Sequence, residues 1–148
     1  MLRIHYFTRM KHIALCLLLA TLPCCVFAQT KRTIETMAAR HQACLDEGTH
    51  MLQCARSFYM QMDSMLNLTY NNLRKNLDAA GKEALKKEQL AWLRKRDRFF
   101  RQEQKEYQHN YDTGEWGPDM YMVVYDNEAD FVKARVLELV QKLSAIQK

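Results

Sequence analysis

Residues 89–100 read Gln-Leu-Ala-Trp-Leu-Arg-Lys-Arg-Asp-Arg-Phe-Phe, and on a helix of 3.6 residues per turn they give an unusual face. Leu85, Gln89, Trp92, Arg96 and Phe99 share one narrow stripe, which sets a long amide and a guanidinium among large apolar side chains. Leu or Ile would serve burial alone, because a buried polar group without a partner costs about 1 to 3 kcal/mol. The stripe therefore requires polar partners. It is expected to be the helix on which the rest of the chain packs, with Arg96 held between two helices by Asp63, Asn67 or a backbone carbonyl and Gln89 nearby.

The helical period extends on both sides of this stretch. Only 4 Gly and 2 Pro interrupt 148 residues rich in Leu, Met, Lys, Glu, Gln and Ala, so the chain reads as all-α. Asp78-Ala79-Ala80-Gly81 forms the preceding turn, with Asp78 as helix cap, and the helix is expected from about Lys82 to Gln108. Upstream, Cys54, Phe58, Met62, Met65, Leu66, Thr69, Leu73 and Leu77 recur at steps of three and four, the pattern of a long amphipathic helix that Thr49 can cap. Two long helices joined by so short a turn are expected to lie antiparallel. Thr33 to Leu45 reads as a shorter helix stopped at Asp46-Glu47-Gly48. Tyr111 to Pro118, with Gly114 and Gly117, is the one clear loop. Pro118 suits the first turn of a C-terminal helix carrying Tyr121, Val124, Tyr125, Val132, Val136, Leu139 and Leu143 on one stripe. Met120 to Tyr125 is strand-like in composition, but its length favours helix. The expected architecture is a small helical bundle built on two long antiparallel helices plus a C-terminal helix.

The first 28 residues have the form of a secretory signal peptide. Arg3, Arg9 and Lys11 precede an apolar run from Ile13 to Leu22, and Val26-Phe27-Ala28 offers small residues for cleavage after Ala28. Met10 is an alternative start. The run is short of the roughly 20 residues that span a bilayer, so no stable membrane insertion is expected after cleavage. Residues 29–148 then form a single domain. Loss of those three basic residues lowers the net charge from +5 to about +2, too small to demand nucleic acid or membrane. The basic run from Lys82 to Lys105 is interleaved with Glu83, Glu88, Asp97 and Glu103, which reads as a solvated helix face. Cys16, Cys24 and Cys25 leave with the signal, while Cys44 and Cys54 remain in an oxidising compartment with only each other as intramolecular partners. A disulfide is expected.

His41, His50 and His109 lack metal-ligand spacing, and the sequence carries neither Gly-x-Ser-x-Gly nor a phosphate loop. Both mature cysteines are expected to be oxidised, and most carboxylates stand beside Lys or Arg as in surface ion pairs. No catalytic residue, metal or other cofactor is expected, and the protein reads as a non-enzyme.

Four elements follow one another in order: Cys44 and Cys54; Asp63-x-x-Leu66-Asn67-x-x-Tyr70; Gln89-x-x-Trp92-x-x-x-Arg96-Asp97; and Arg135-x-x-Glu138-Leu139. In that order and spacing the chain resembles the LprI-type lysozyme inhibitors, over nearly the whole mature sequence. Phe100 stands where relatives often carry a further cysteine, and Lys95 replaces a frequent aromatic residue. The resemblance implies an exported bacterial protein, periplasmic or secreted, whose partner is a lysozyme or another envelope protein. It also implies that Asp63, Leu66, Asn67, Tyr70, Gln89, Trp92, Arg96, Asp97 and Arg135 serve the fold. Binding is then expected on surfaces that avoid the Gln89, Trp92 and Arg96 stripe: the Asp78 to Lys82 turn, Tyr111 and Trp116 in the loop, or Arg94, Lys95 and Arg98. Trp116 has the strongest case there, with packing against the C-terminal helix as its alternative. A different class of function, a structural or adaptor module of the envelope without lysozyme activity, is separated from the first by an inhibition assay.

Overall fold

The structure, a computed structural model, describes residues 22–146, with side chains from residue 30 onward. Most of the expected signal peptide, residues 1–21, lies outside the described residues. Four helices and one short 3-10 turn account for nearly all the rest. Helix α1 spans Leu22–Asp46, well upstream of the expected start at Thr33, because residues 29–33 contain no glycine or proline to interrupt it. Helix α2 spans Met51–Lys75, α3 Ala79–Asp112 and α4 Tyr121–Ile146, with the 3-10 turn Pro118–Met120 leading into α4. The strand-like composition of Met120 to Tyr125 is thus overridden.

Between α1 and α2 the chain reverses within four residues, with Gly48 at φ 67 and His50 at φ 54. This tight return makes His50, not Thr49, the cap of α2, and no side chain satisfies that helix end. The Cys44–Cys54 disulfide, with Cα atoms 5.9 Å apart, clamps the reversal from both sides. At the next turn Asp78 caps α3 as expected, its Oδ1 accepting the Gly81 amide at 2.8 Å. Gly81 leaves room for this cap, since an added Cβ would lie 3.0 Å from the capping oxygen and 3.2 Å from the Leu77 side chain.

Seven of the eight positions expected on the inner face of α2 are buried, Cys54, Phe58, Met62, Met65, Leu66, Thr69 and Leu73, while the eighth, Leu77, lies past the helix end and is half-buried. Their main partner is α4, which contributes Val132, Val136, Leu139, Val140 and Leu143, with Ile34 of α1 closing one side. Helix α3 is an outer layer. Leu85 is its only buried residue, and α2 touches it far less than it touches α4. The 89–100 stretch therefore flanks the core and is not its centre. The reason is compositional: Lys, Arg, Glu and Gln fill so much of α3 that only one edge can be desolvated.

Helix lengths set the ends of the bundle. At 1.5 Å per residue the 34-residue α3 runs about 13 Å beyond the 25-residue α2. The α1–α2 reversal and the α3–α4 loop lie at one end, and the α2–α3 turn lies at the other.

Candidate functional site

The polar partners that the 89–100 stripe requires come from α4. Arg135 is buried, its side chain 2% exposed, and it donates from Nε and Nη2 to Gln89 Oε1 at 3.1 and 2.9 Å. Its Nη1 donates to Glu88 Oε1 at 2.7 Å and to Glu138 Oε2 at 2.9 Å, and Lys142 Nζ also donates to Glu88. Burial alone would raise the Glu88 carboxyl, but the bonds from Lys142 and Arg135 and their charges hold it below the ordinary value. Trp92 lies beside this network with Phe131 at 5.8 Å and the Arg135 guanidinium at 6.0 Å from its ring. This arrangement fastens α3 to α4 and leaves Gln89 and Trp92 little freedom to meet a partner.

Arg96 departs from expectation. Its side chain is 25% exposed and it bonds its neighbour Asp97, from Nε at 3.0 Å and Nη2 at 2.7 Å, instead of Asp63 or Asn67. The guanidinium rests 5.8 Å from the Trp92 ring and 5.6 Å from that of Phe100. The buried arginine of the motif is Arg135. One α4 residue can reach a flanking helix and the core together, whereas residue 96 of the outer helix faces a groove.

That groove, about 270 Å3, separates α2 from α3. Six motif residues line it: Asp63, Leu66, Asn67, Tyr70, Gln89 and Arg96, with Lys86, Leu90 and Leu93 completing the walls. Asn67 is exposed and bonds only within its own helix, to Asp63 O at 3.0 Å and Asp63 Oδ2 at 3.4 Å. Leu66 is buried, Tyr70 half-buried, and Asp97 stands outside on the surface.

Two features escape sequence patterning. Glu128 of α4 is only 5% exposed, and its Oε1 has no hydrogen-bond partner among the described residues. Burial and the neighbouring Glu103 push its carboxyl up to about 7, against the opposing charge of Arg96. Burial and Glu128 also raise the phenols of Tyr59 and Tyr121. The second is His41, which stacks on Phe58 at 4.4 Å and places Nε2 2.9 Å from Asp126 Oδ1. Burial raises Asp126, opposed by His41. The i, i+3, i+4 stripe of α4 runs through Glu128, the one signal in the sequence that could have exposed its burial.

At the loop end of the bundle, Trp116 is half-buried against Tyr107, with ring centroids 6.2 Å apart, while Tyr111 also stacks on Tyr107 and remains 45% exposed. The packing alternative thus describes Trp116, though its partner is α3. This end is acidic. Asp46 and Glu47 lie in or beside one loop and Asp112, Glu115 and Asp119 in or beside the other, all exposed, and the sequence has no Lys or Arg between Arg40 and Arg56 or between Lys105 and Lys133. Arg94, Lys95 and Arg98 are exposed along the outer face of α3, away from that end. Among the described residues no group of His, Cys, Asp and Glu could hold a metal ion.

No curated protein and no solved structure matches the chain. A family model described as lysozyme inhibitor LprI matches residues 39–139, a span that includes both cysteines, the walls of the groove and the buried Arg135 network. With more than half of its length matched, the chain belongs to the LprI lysozyme inhibitor family.

Proposed function

We propose that the protein is an exported, non-catalytic inhibitor that binds a lysozyme through the acidic, loop-bearing end of the bundle. Family membership over residues 39–139 is the observation that carries the reading. The charge distribution supports the choice of end. Vertebrate-type lysozymes are strongly basic, and a net charge near +2 offers them no general attraction. The basic residues of this chain, however, lie away from the two loops, so the end that carries Asp46, Glu47, Asp112, Glu115 and Asp119 presents a local negative field. The disulfide clamps the first loop, and the stack of Tyr107 on Tyr111 steadies the approach to the second, so little ordering entropy remains to be lost on binding. Exposed Tyr111 is the aromatic anchor of this surface, and Tyr107, on which it stacks, also packs against Trp116. Export to the periplasm or outside the cell belongs to the same reading. It fits the disulfide, and no described helix is long and apolar enough to cross a membrane.

The test is inhibition of lysozyme-driven cell-wall lysis by the mature protein, across basic and less basic lysozymes. Triple charge reversal at Glu47, Asp112 and Glu115 to Lys should weaken inhibition of a basic lysozyme at least tenfold with an unchanged melting temperature. No inhibition of any lysozyme would leave the structural or adaptor reading in its place. Inhibition unaffected by the triple reversal would move the contact surface elsewhere.

A further inference from the structure

The opposite end of the molecule has the opposite character. One helical turn from Asn67 and Lys86, towards the α2–α3 turn, lies a second concavity of about 420 Å3, lined by Asn71, Arg74, Lys75 and Lys82. No carboxylate lines it. Among the described residues, none of Arg74, Lys75, Lys82 and Lys86 forms an ion pair. Asp78, in the intervening turn, is committed to the Gly81 amide. Arg74 and Lys75 stand at the C-terminus of α2, where the helix dipole favours cations. Lys82 has no such support. It lies at the start of α3, where the dipole favours acids and the first turn has none. No carboxylate shares the concavity with these cations, and an anion placed among them reduces their mutual repulsion.

The adjoining groove adds a second requirement. Its floor is apolar, with Leu90 47% exposed beside Leu93 and Leu66. Its rim carries Asp63, Asn67 and Tyr70, and no bond crosses from these to α3 among the described residues. A lipid chain would lie poorly against a carboxylate and an amide that are bonded only to each other and to their own helix. Alternating hydroxyl and C–H faces match such a lining. We propose that the α2–α3 face binds a phosphorylated saccharide, with the phosphate held by Arg74, Lys75 and Lys82 and the sugar units laid along the groove towards Asp63. Such a site is independent of the acidic end, so the protein can hold an anionic glycan while that end remains free.

Titration of the full-length mature, oxidised protein with a mannose oligosaccharide bearing a terminal 6-phosphate tests this, with the unphosphorylated oligosaccharide and inorganic phosphate as controls. The phosphorylated probe is expected to bind at least tenfold more tightly than either control. Combined Arg74→Glu and Lys82→Glu should abolish binding, and Asn67→Ala should weaken the phosphorylated probe while leaving inorganic phosphate unchanged. These side chains lie at the surface, and unchanged melting temperatures establish that the fold persists. Absence of binding at millimolar probe overturns the proposal. So does equal affinity for inorganic phosphate, which would make the cleft a simple anion site, or binding that survives charge reversal. Binding only to vesicles of phosphatidylglycerol mixed with phosphatidylcholine would replace the saccharide by a lipid surface.

Discussion

At the scale of single residues, the two arginines of the motif differ by environment: Arg96 stands in the charged run Arg94 to Arg98, and Arg135 among Val132, Val136 and Leu139. Arg135→Ala leaves Gln89 Oε1 without its donor and Glu88 with Lys142 alone, and is expected to cost about 1 to 3 kcal/mol in chemical denaturation. Arg96→Ala removes a solvated pair with Asp97 and contacts with two rings, and should cost no more than about 1 kcal/mol. Glu128 gives a pH dependence of defined sign. Its carboxyl rises from 4.5 to about 7 on folding, so between those values the folded state binds the additional proton. Stability therefore falls as pH rises from 4.5 to 7 and levels off above that. Glu128→Gln should remove this slope and raise stability at pH 8 by roughly 1 to 3 kcal/mol, read from melting at pH 5 and pH 8. Glu88 acts oppositely: its depressed carboxyl contributes stability above pH 4.5 that is lost on further acidification.

At the scale of elements, each helix end has a different guarantor. Asp78 secures the start of α3 with one side-chain bond, and Asp78→Ala should cost about 1 kcal/mol. The start of α2 has no side-chain cap and depends on the disulfide, which closes a loop with a separation of only 10 residues. Reduction, or the double change Cys44→Ser and Cys54→Ser, should cost about 2 to 3 kcal/mol and leave helix content by circular dichroism nearly intact. The α2–α4 core does not include the 47–50 loop, and hydrogen exchange after reduction should rise there and at the end of α1 before it rises in α2 beyond Phe58.

At the scale of the whole molecule, charge is sorted by position more than by amount. The loop end is acidic and the α2–α3 turn is basic, separated by the length of α2, about 37 Å. Inhibition of a basic lysozyme is therefore expected to weaken as salt rises from 0.05 to 0.5 M, chiefly through slower association, since screening shortens the reach of the acidic end. An association rate that does not change with salt in stopped-flow or surface binding measurements would remove the electrostatic part of the functional reading.

The existence and order of the helices, the α2 stripe, the Asp78 cap and the disulfide were legible in the residues, because each rests on local period, local capping chemistry or the redox state of two cysteines, whereas the start of α1 and the cap of α2 were not. The family was legible as well, in the spacing of Asp63, Asn67, Gln89, Trp92, Arg96 and Arg135. Tertiary structure alone decided which helices pair and which polar groups are buried. Gln89 and Arg96 both line the α2–α3 groove, yet only Gln89 meets a buried partner, because α4 sets Arg135 against it while Arg96 finds only its neighbour Asp97. The same holds for the two ends of the bundle. Asp46 and Glu115 are far apart in the chain and share an end because α2 and α3 run in opposite directions, a juxtaposition set by the helix order and not by any local pattern.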